Sequence, residues 1–258
     1  MDIMPKTIII IPCYNESTRI DQDVFLEYAN KNSNVHFLFV NDGSTDNTSE
    51  IIQELSNKNS EQFLEKNLES NRGKAEAVRQ GFLEAFRMNF ECIGFFDADL
   101  ATPLSALNSF SQLLEKKDIF IVIGSRVRLL GRKIERAPLR HYIGRIFATF
   151  ASIILHIPVY DTQCGAKIFK NNEILRKVFS SPFKVKWIFD VEILGRYKLV
   201  MNNIIENHII EYPLEQWRDI KGSKIKMTDF IKAPFELLKI LLLMRSSSII
   251  NTYTKRFH

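Results

Sequence analysis

The sequence predicts an α/β fold built on an open, mainly parallel sheet, and three observations carry that prediction. Short β-branched runs alternate with amphipathic helical segments through the first half of the chain. The runs are apolar at nearly every position, as expected of strands covered on both faces. Each strong run also stops at a polar, turn-forming cluster, and strands joined through helices of this length lie parallel.

Residues 7–11 read as the first buried strand, bounded by Pro12. Residues 35–40 repeat the pattern and run into Asn41-Asp42-Gly43-Ser44. Residues 63–64 mark a weaker third strand, 92–96 a fourth that ends at Asp97, and 119–123 a fifth that ends at Gly124. Between them, Thr45, Asp46 and Asn47 offer caps for a helix with Ile51, Ile52 and Leu55 on one face. A second helix over 73–88 places Val78, Phe82, Leu83 and Phe86 in a stripe, and Pro103 stands where a third would begin. The second half is less regular. It predicts helices over 139–155, 187–197 and 233–244, a short strand over 166–169 and an extended stretch over 204–211. No repeat, low-complexity tract or linker appears, so the reading is one domain over 1–226 followed by an amphipathic helix and basic tail over 227–258.

The 258 residues are 45% hydrophobic and 25% charged, ordinary proportions for a globular chain able to bury its own core. Cys13, Cys92 and Cys164 are odd in number and widely spaced, which argues against a disulfide framework and for a reducing compartment. No secretory signal is expected at the start, and no run reaches the roughly 18 apolar residues of a membrane span. The net charge of +5 favours anionic partners only weakly. Its distribution says more: Arg126, Arg128, Arg132, Lys133, Arg136, Arg140 and Arg145 face a single acid, Glu135, directly after a strand. That run suits phosphate or anionic lipid. Nucleic acid is not expected, since aromatic residues are not interleaved with the cations.

Open parallel sheets bind ligands beyond the carboxyl ends of their strands, and the polar clusters collect there. Asp97 and Asp99, one residue apart at a strand end, offer hard oxygen ligands to Mg²⁺ or Mn²⁺. Such an ion neutralises charge growing on a departing diphosphate. Asp42 with Tyr14, Asn15 and Glu16 would flank a nucleotide over the first two strands, a carboxylate accepting a base N–H and Asn or Glu meeting ribose hydroxyls. Lys74 opens a helix whose N-terminus favours phosphate.

These motifs resemble glycosyltransferase family 2. The residues that carry the likeness are Ile11-Pro12-Cys13-Tyr14-Asn15-Glu16, Val40 through Asp46, Asn71-Arg72-Gly73-Lys74 and Asp97-Ala98-Asp99. Gly124-Ser125-Arg126, Asp161-Thr162-Gln163-Cys164-Gly165-Ala166-Lys167, Phe189-Asp190-Val191-Glu192 and Lys221-Gly222-Ser223-Lys224 narrow it. Together they look like the dolichyl-phosphate β-glucosyltransferases and their bacterial polyprenyl-phosphate relatives. The resemblance implies a GT-A fold and an inverting transfer of a hexose, glucose by preference, from a UDP-linked donor to a polyprenyl phosphate. It implies that Pro12, Tyr14, Asn15, Glu16, Asp42 and Lys74 bind the donor, with Asp97 and Asp99 holding metal and diphosphate. Arg126, Arg140, Lys221 and Lys224 would meet the acceptor phosphate, while Gln163, Asp190 and Glu192 would serve the chemistry. Ala101 stands where related mannosyltransferases carry a glutamine, which favours the glucosyl branch.

An alternative keeps the fold and moves the hexose to a saccharide hydroxyl in surface-glycan or lipid-linked oligosaccharide assembly. That reaction requires a base, for which Asp190 is the candidate. A nucleotide-binding module without catalysis is a further alternative, opposed by the intact Lys74, Asp97 and Asp99. The expected location is the cytoplasm, peripheral on the inner face of the cytoplasmic membrane. Lys232, Glu236 and Lys239 share one face of the last helix and apolar residues from Phe235 to Met244 cover the rest. That helix could lie in a membrane interface, or dock on the domain or on a second subunit.

Overall fold

The computed structural model describes residues 4–201, 205–220 and 227–245. In chain order it runs β1 (Thr7–Cys13), α1 (Gln22–Lys31), β2 (Val35–Asn41), α2 (Thr48–Lys58), β3 (Phe63–Asn67), α3 (Lys74–Ala85), β4 (Cys92–Phe96) and α4 (Ala106–Leu114). There follow β5 (Ile121–Ser125), β6 (Lys133–Glu135), α5 (Pro138–Leu155), β7 (Ala166–Lys170), α6 (Glu173–Phe179), α7 (Phe189–Val200), β8 (Ile209–Pro213), β9 (Gln216–Arg218) and α8 (Met227–Arg245).

Seven strands form one sheet in the order β3-β2-β1-β4-β7-β5-β8. Only β7 opposes its neighbours, so six strands deliver their carboxyl ends to one edge. The reversal of β7 matters for the site. It pairs Ala166 with Phe96, which brings the loop before Ala166 against Asp97. β6 and β9 make a separate parallel pair.

Side chains alternate across the sheet. Ile8 and Ile10 pack with α3, α6 and α7 on one side, and Ile9 and Ile11 with α1, α2 and α4 on the other. All four isoleucines are wholly buried, each stabilising the fold by about 1.5–3 kcal/mol. This double coverage is why the strand runs show no polar alternation. Aromatic rings fill the first layer, where Phe82 stacks on Phe179 with centroids 3.8 Å apart.

α1, α6 and the β6–β9 pair were not expected. α1 buries only Phe25 and Ala29, so its apolar stripe is short, although Asp21 accepts from the Val24 amide as a helix cap should. α6 spans two turns and is likewise capped, by Asn172. The fifth strand starts two residues later than expected, and the last helix six residues earlier, with Pro234 inside it.

α8 docks on α5 and α7. Ala233, Leu237, Ile240 and Leu243 are its buried face, and Gly195 of α7 lets Met244 Sδ and Ile240 approach. Glu236, expected on an outward polar face, turns inward instead. It accepts the amides of Lys186 at 3.2 Å and of Trp187 and Ile188 at 3.1 Å, capping α7. An outward stripe remains in Phe235, Leu238 and Leu242, and α5 carries a second in Tyr142, Ile146, Phe150 and Ile153. Among the described residues no helix is long and apolar enough to cross a membrane.

Candidate active site

The clusters predicted at the strand ends meet at one edge. Parallel register puts Cys13 beside Asn41 and Asn41 beside Asn67, so the segments after β1, β2 and β3 start level. They are sewn together. Asn15, at φ 50°, donates its amide to Ser44 Oγ at 3.0 Å and accepts the Thr45 amide at 2.8 Å. The Glu16 amide donates to Thr48 Oγ1 at 2.8 Å, and Asp46 accepts from both Ser17 and Thr48. Burial opposes ionisation of Asp46, but those hydroxyls and amides outweigh it and hold the carboxyl at about 2.

Asp42 is buried, 2% exposed, and its two oxygens accept the Arg72 and Gly73 amides, each at 2.8 Å. Burial raises its pKa, and those amides offset the rise only in part. Its carboxylate thus orders the turn into α3, beside Tyr14 and Pro12, both half-buried at the end of β1. The turn needs Gly43, at φ 67°, where a Cβ would stand 2.7 Å from the Asn71 amide nitrogen.

Lys74, at the start of α3, donates to Asp97 Oδ1. Burial would lower its pKa, but Asp97, Asp190 and Asp99 prevail and raise it, so the ammonium stays charged among three carboxylates. Arg19 donates through Nη2 to Asp99 and reaches Glu16 Oε2 through Nη1 at 3.2 Å. Leu100 takes φ 51°, uncommon for leucine, and the Ala101 amide donates to Asp99 Oδ1 at 3.1 Å. A cavity of about 1480 Å³ opens beside Asn15, Arg19 and Asp99 and extends to Trp217 and Arg218.

The loop before β7 closes the other flank. The Asp97 amide donates to the Gly165 carbonyl at 3.1 Å. Lys167, wholly buried, donates to the Cys164 carbonyl at 2.6 Å and to Asp190 Oδ1, with its ammonium 5.1 Å from the centre of the Phe95 ring. It ties β4, the loop and the start of α7 into one unit. Gln163 is half-buried, and its Nε2 has no partner among the described residues. Arg126 is bidentate on Asp161, at 2.6 and 2.7 Å, and its guanidinium lies 5.3 Å from the Trp217 ring centre. Burial pushes the Asp161 carboxyl up, but Arg126 more than offsets this and holds it at about 2.

The structure therefore gathers Tyr14, Asn15, Glu16, Asp42, Lys74, Asp97, Asp99, Gln163 and Asp190 around one edge, with Arg126 on the loop flank. Glu192 is a correction. Two residues along a helix from Asp190, it points to the opposite side, is wholly buried, and accepts both Arg196 and the amides of Lys184 and Val185. It holds the fold and touches no part of the site. Arg140 lies on α5 with its side chain outside the described residues, and Lys221 and Lys224 lie outside them altogether.

Arg19 and Lys167 were missed. Arg19 stands three residues after Glu16, a spacing at which charges pair within one turn. Lys167 shares with Phe169 the face of β7 that packs against α3, α6 and α7, so its ammonium had to find a buried carboxylate.

Asp97 and Asp99 fit a divalent cation as a pair of hard oxygen donors with side chains that are not sealed from solvent. Among the described residues no group of three His, Cys, Asp or Glu could hold an ion alone. Other ligands would have to come from substrate and water.

The chain thus combines a mainly parallel sheet with paired carboxylates and a lysine-led helix at its carboxyl edge, where open sheets of this kind bind ligands. Residues 8–178 match the sequence profile of Glycosyl transferase family 2, and the chain belongs to that family. It is a glycosyltransferase. It is 33% identical over 253 residues to a dolichyl-phosphate beta-glucosyltransferase of Trichomonas vaginalis, covering 93% of this chain and 72% of the relative. The dolichyl-phosphate beta-glucosyltransferase of Saccharomyces cerevisiae is 33% identical over 267 residues, covering 95% and 75%. Among solved structures, glucosyl-3-phosphoglycerate synthase of Mycobacterium tuberculosis in complex with Mn²⁺ and UDP-glucose shares the fold. Its TM-score is 0.66 at 16% identity, over 93% of this chain and 79% of that one. The Pyrobaculum calidifontis mannosyltransferase in complex with GDP-mannose and Mn²⁺ gives 0.63 at 16% identity, over 97% and 69%.

Proposed function

We propose that this enzyme transfers glucose from UDP-glucose to a polyprenyl monophosphate, with inversion at the anomeric carbon and with Mg²⁺ or Mn²⁺. The observation that carries the reading is the convergence of Asp97, Asp99, Lys74 and Asp190 at the sheet edge. The identity to dolichyl-phosphate glucosyltransferases over nearly the whole chain supports the choice of sugar and acceptor.

Tyr14 and the turn ordered by Asp42 flank the base, with Asn15 and Glu16 near the ribose. Asp97 and Asp99 hold the ion, which supplies charge neutralisation to the diphosphate. Lys74 adds a fixed positive charge beside the same group. Gln163, on the loop pinned by Lys167, offers its unpaired amide to the sugar. Arg126 engages Asp161 through Nε and Nη2 and turns the remaining Nη1 to the acceptor phosphate. Such an acceptor is already anionic at neutral pH, so orientation between these groups replaces proton abstraction. The outward stripes of α5 and α8, with exposed Lys232, Lys239 and Arg245, form the surface that meets the membrane carrying the lipid.

The test is a panel of labelled UDP- and GDP-hexoses with short polyprenyl phosphates and with free saccharides as acceptors. Glucose on the lipid phosphate is the expected product; Asp190→Asn loses the charge that pairs with buried Lys167 and should melt earlier, yet its turnover per folded molecule should stay near normal. Transfer to a saccharide alone, abolished by Asp190→Asn, would replace this reading with hydroxyl glycosylation through an Asp190 base.

A further inference from the structure

Both carboxylates of the Asp97-Ala98-Asp99 motif carry a cation supplied from elsewhere in the chain. Lys74 takes Asp97, and Arg19 takes Asp99 while also reaching Glu16 at 3.2 Å. Lys74 already has a place beside the donor phosphates. Arg19 has none. It sits in the segment after β1, with only about 15% of its side chain exposed, and so does the Asp99 carboxylate it meets. A guanidinium keeps its charge at any working pH, so Asp99 stays neutralised for as long as Arg19 remains. The hold is confined to the fork: Arg19 Nε is buried and meets no acceptor among the described residues. A group held only at its end can exchange one anion for another.

We propose that Arg19 gates the metal position. It guards Asp99 and moves to the donor's phosphates when a divalent cation arrives together with a nucleoside diphosphate. The inference rests on the metal-dependent reading above and adds a binding order to it. A lone ion must displace a cation that is left with Glu16 alone for a partner. An ion arriving with a diphosphate brings the anion that Arg19 can accept. Metal and donor then load together, and by linkage each raises the other's affinity by the same factor.

The experiment is Mn²⁺ titration followed by electron paramagnetic resonance of the free ion, with and without UDP, on the full chain and on Arg19→Gln and Arg19→Lys. The wild type should bind Mn²⁺ weakly alone and tightly with UDP. Arg19→Gln should bind Mn²⁺ alone about tenfold more tightly, because one unit charge has left contact with Asp99, and UDP should then add less. Arg19→Lys should keep the wild-type pattern. If Arg19→Gln loses its cooperative melt, Arg19→Met, which retains the aliphatic stem, takes its place in the same titration. Unchanged or weaker binding of Mn²⁺ alone by the uncharged variant, with UDP-dependent binding intact in the wild type, overturns the gate and leaves the proposed function standing. Failure of the wild type to bind Mn²⁺ even with UDP overturns both.

Discussion

A methyl group placed on the α-carbon of Gly165 would lie 1.9 Å from Asp97 Oδ2. The glycine is required by the carboxylate opposite, and its carbonyl accepts the Asp97 amide besides. The strand-end carboxylate and the loop before β7 are therefore one device. Gly165→Ala is expected to displace the Asp97 side chain and lower kcat by about a hundredfold, the cost of misplacing a positioned group by about an ångström. Steady-state kinetics checked against a thermal melt would show this, and normal turnover would mean that Asp97 has a second serviceable position.

Glu192 and Arg196 form a wholly buried pair with every donor and acceptor engaged. Glu192→Ala strands a buried guanidinium and should cost about 3–5 kcal/mol in denaturant unfolding. Turnover per folded molecule should be unchanged, because the pair lies away from the sheet edge. A loss of kcat in correctly folded Glu192→Ala would return this residue to the chemistry.

Asp46 and Asp161 both have folded values of about 2 against an ordinary value of 3.8. A carboxylate lowered by folding stabilises the native state above its unfolded pKa and loses that contribution as pH falls through the folded one. The melting temperature should therefore drop most steeply between about pH 4 and pH 2. In Asp46→Asn the drop across that window should be shallower. An equal slope in the variant would show that the Ser17 and Thr48 contacts do not hold the Asp46 carboxyl down.

Phe150 and Leu238 project outward from α5 and α8. Replacing both with serine should leave the melt within about 0.5 kcal/mol of wild type, as exposed substitutions usually do. Flotation with liposomes containing anionic lipid should fall several-fold. Unaltered flotation would remove the α5–α8 surface from the account of membrane contact.

The strand runs were legible because burial on both faces leaves a code that is apolar at nearly every position, as at Ile8 to Ile11. Asp97 and Asp99 were legible because paired carboxylates after such a run have no packing purpose. Other features were hidden for physical reasons. α1 has too short a buried stripe to register as a period, and the β6–β9 pair is three residues per strand. The reversal of β7 leaves no local mark, yet it is what brings Gly165 to Asp97. Glu192 misled because a motif is read along the chain, while a helix sends residues two apart to opposite sides. Glu236 misled for a related reason: it shares a face with two lysines, but α7 needed a cap there.

The account stands on the Asp97 and Asp99 carboxylates receiving a metal-bound nucleoside diphosphate, and titration calorimetry with UDP-glucose tests this most directly. With Mn²⁺ present, the wild type should bind UDP-glucose with a measurable heat. That heat should vanish on chelation and in the Asp97→Asn/Asp99→Asn double variant. Binding that is indifferent to Mn²⁺ and unaltered in the double variant would contradict it.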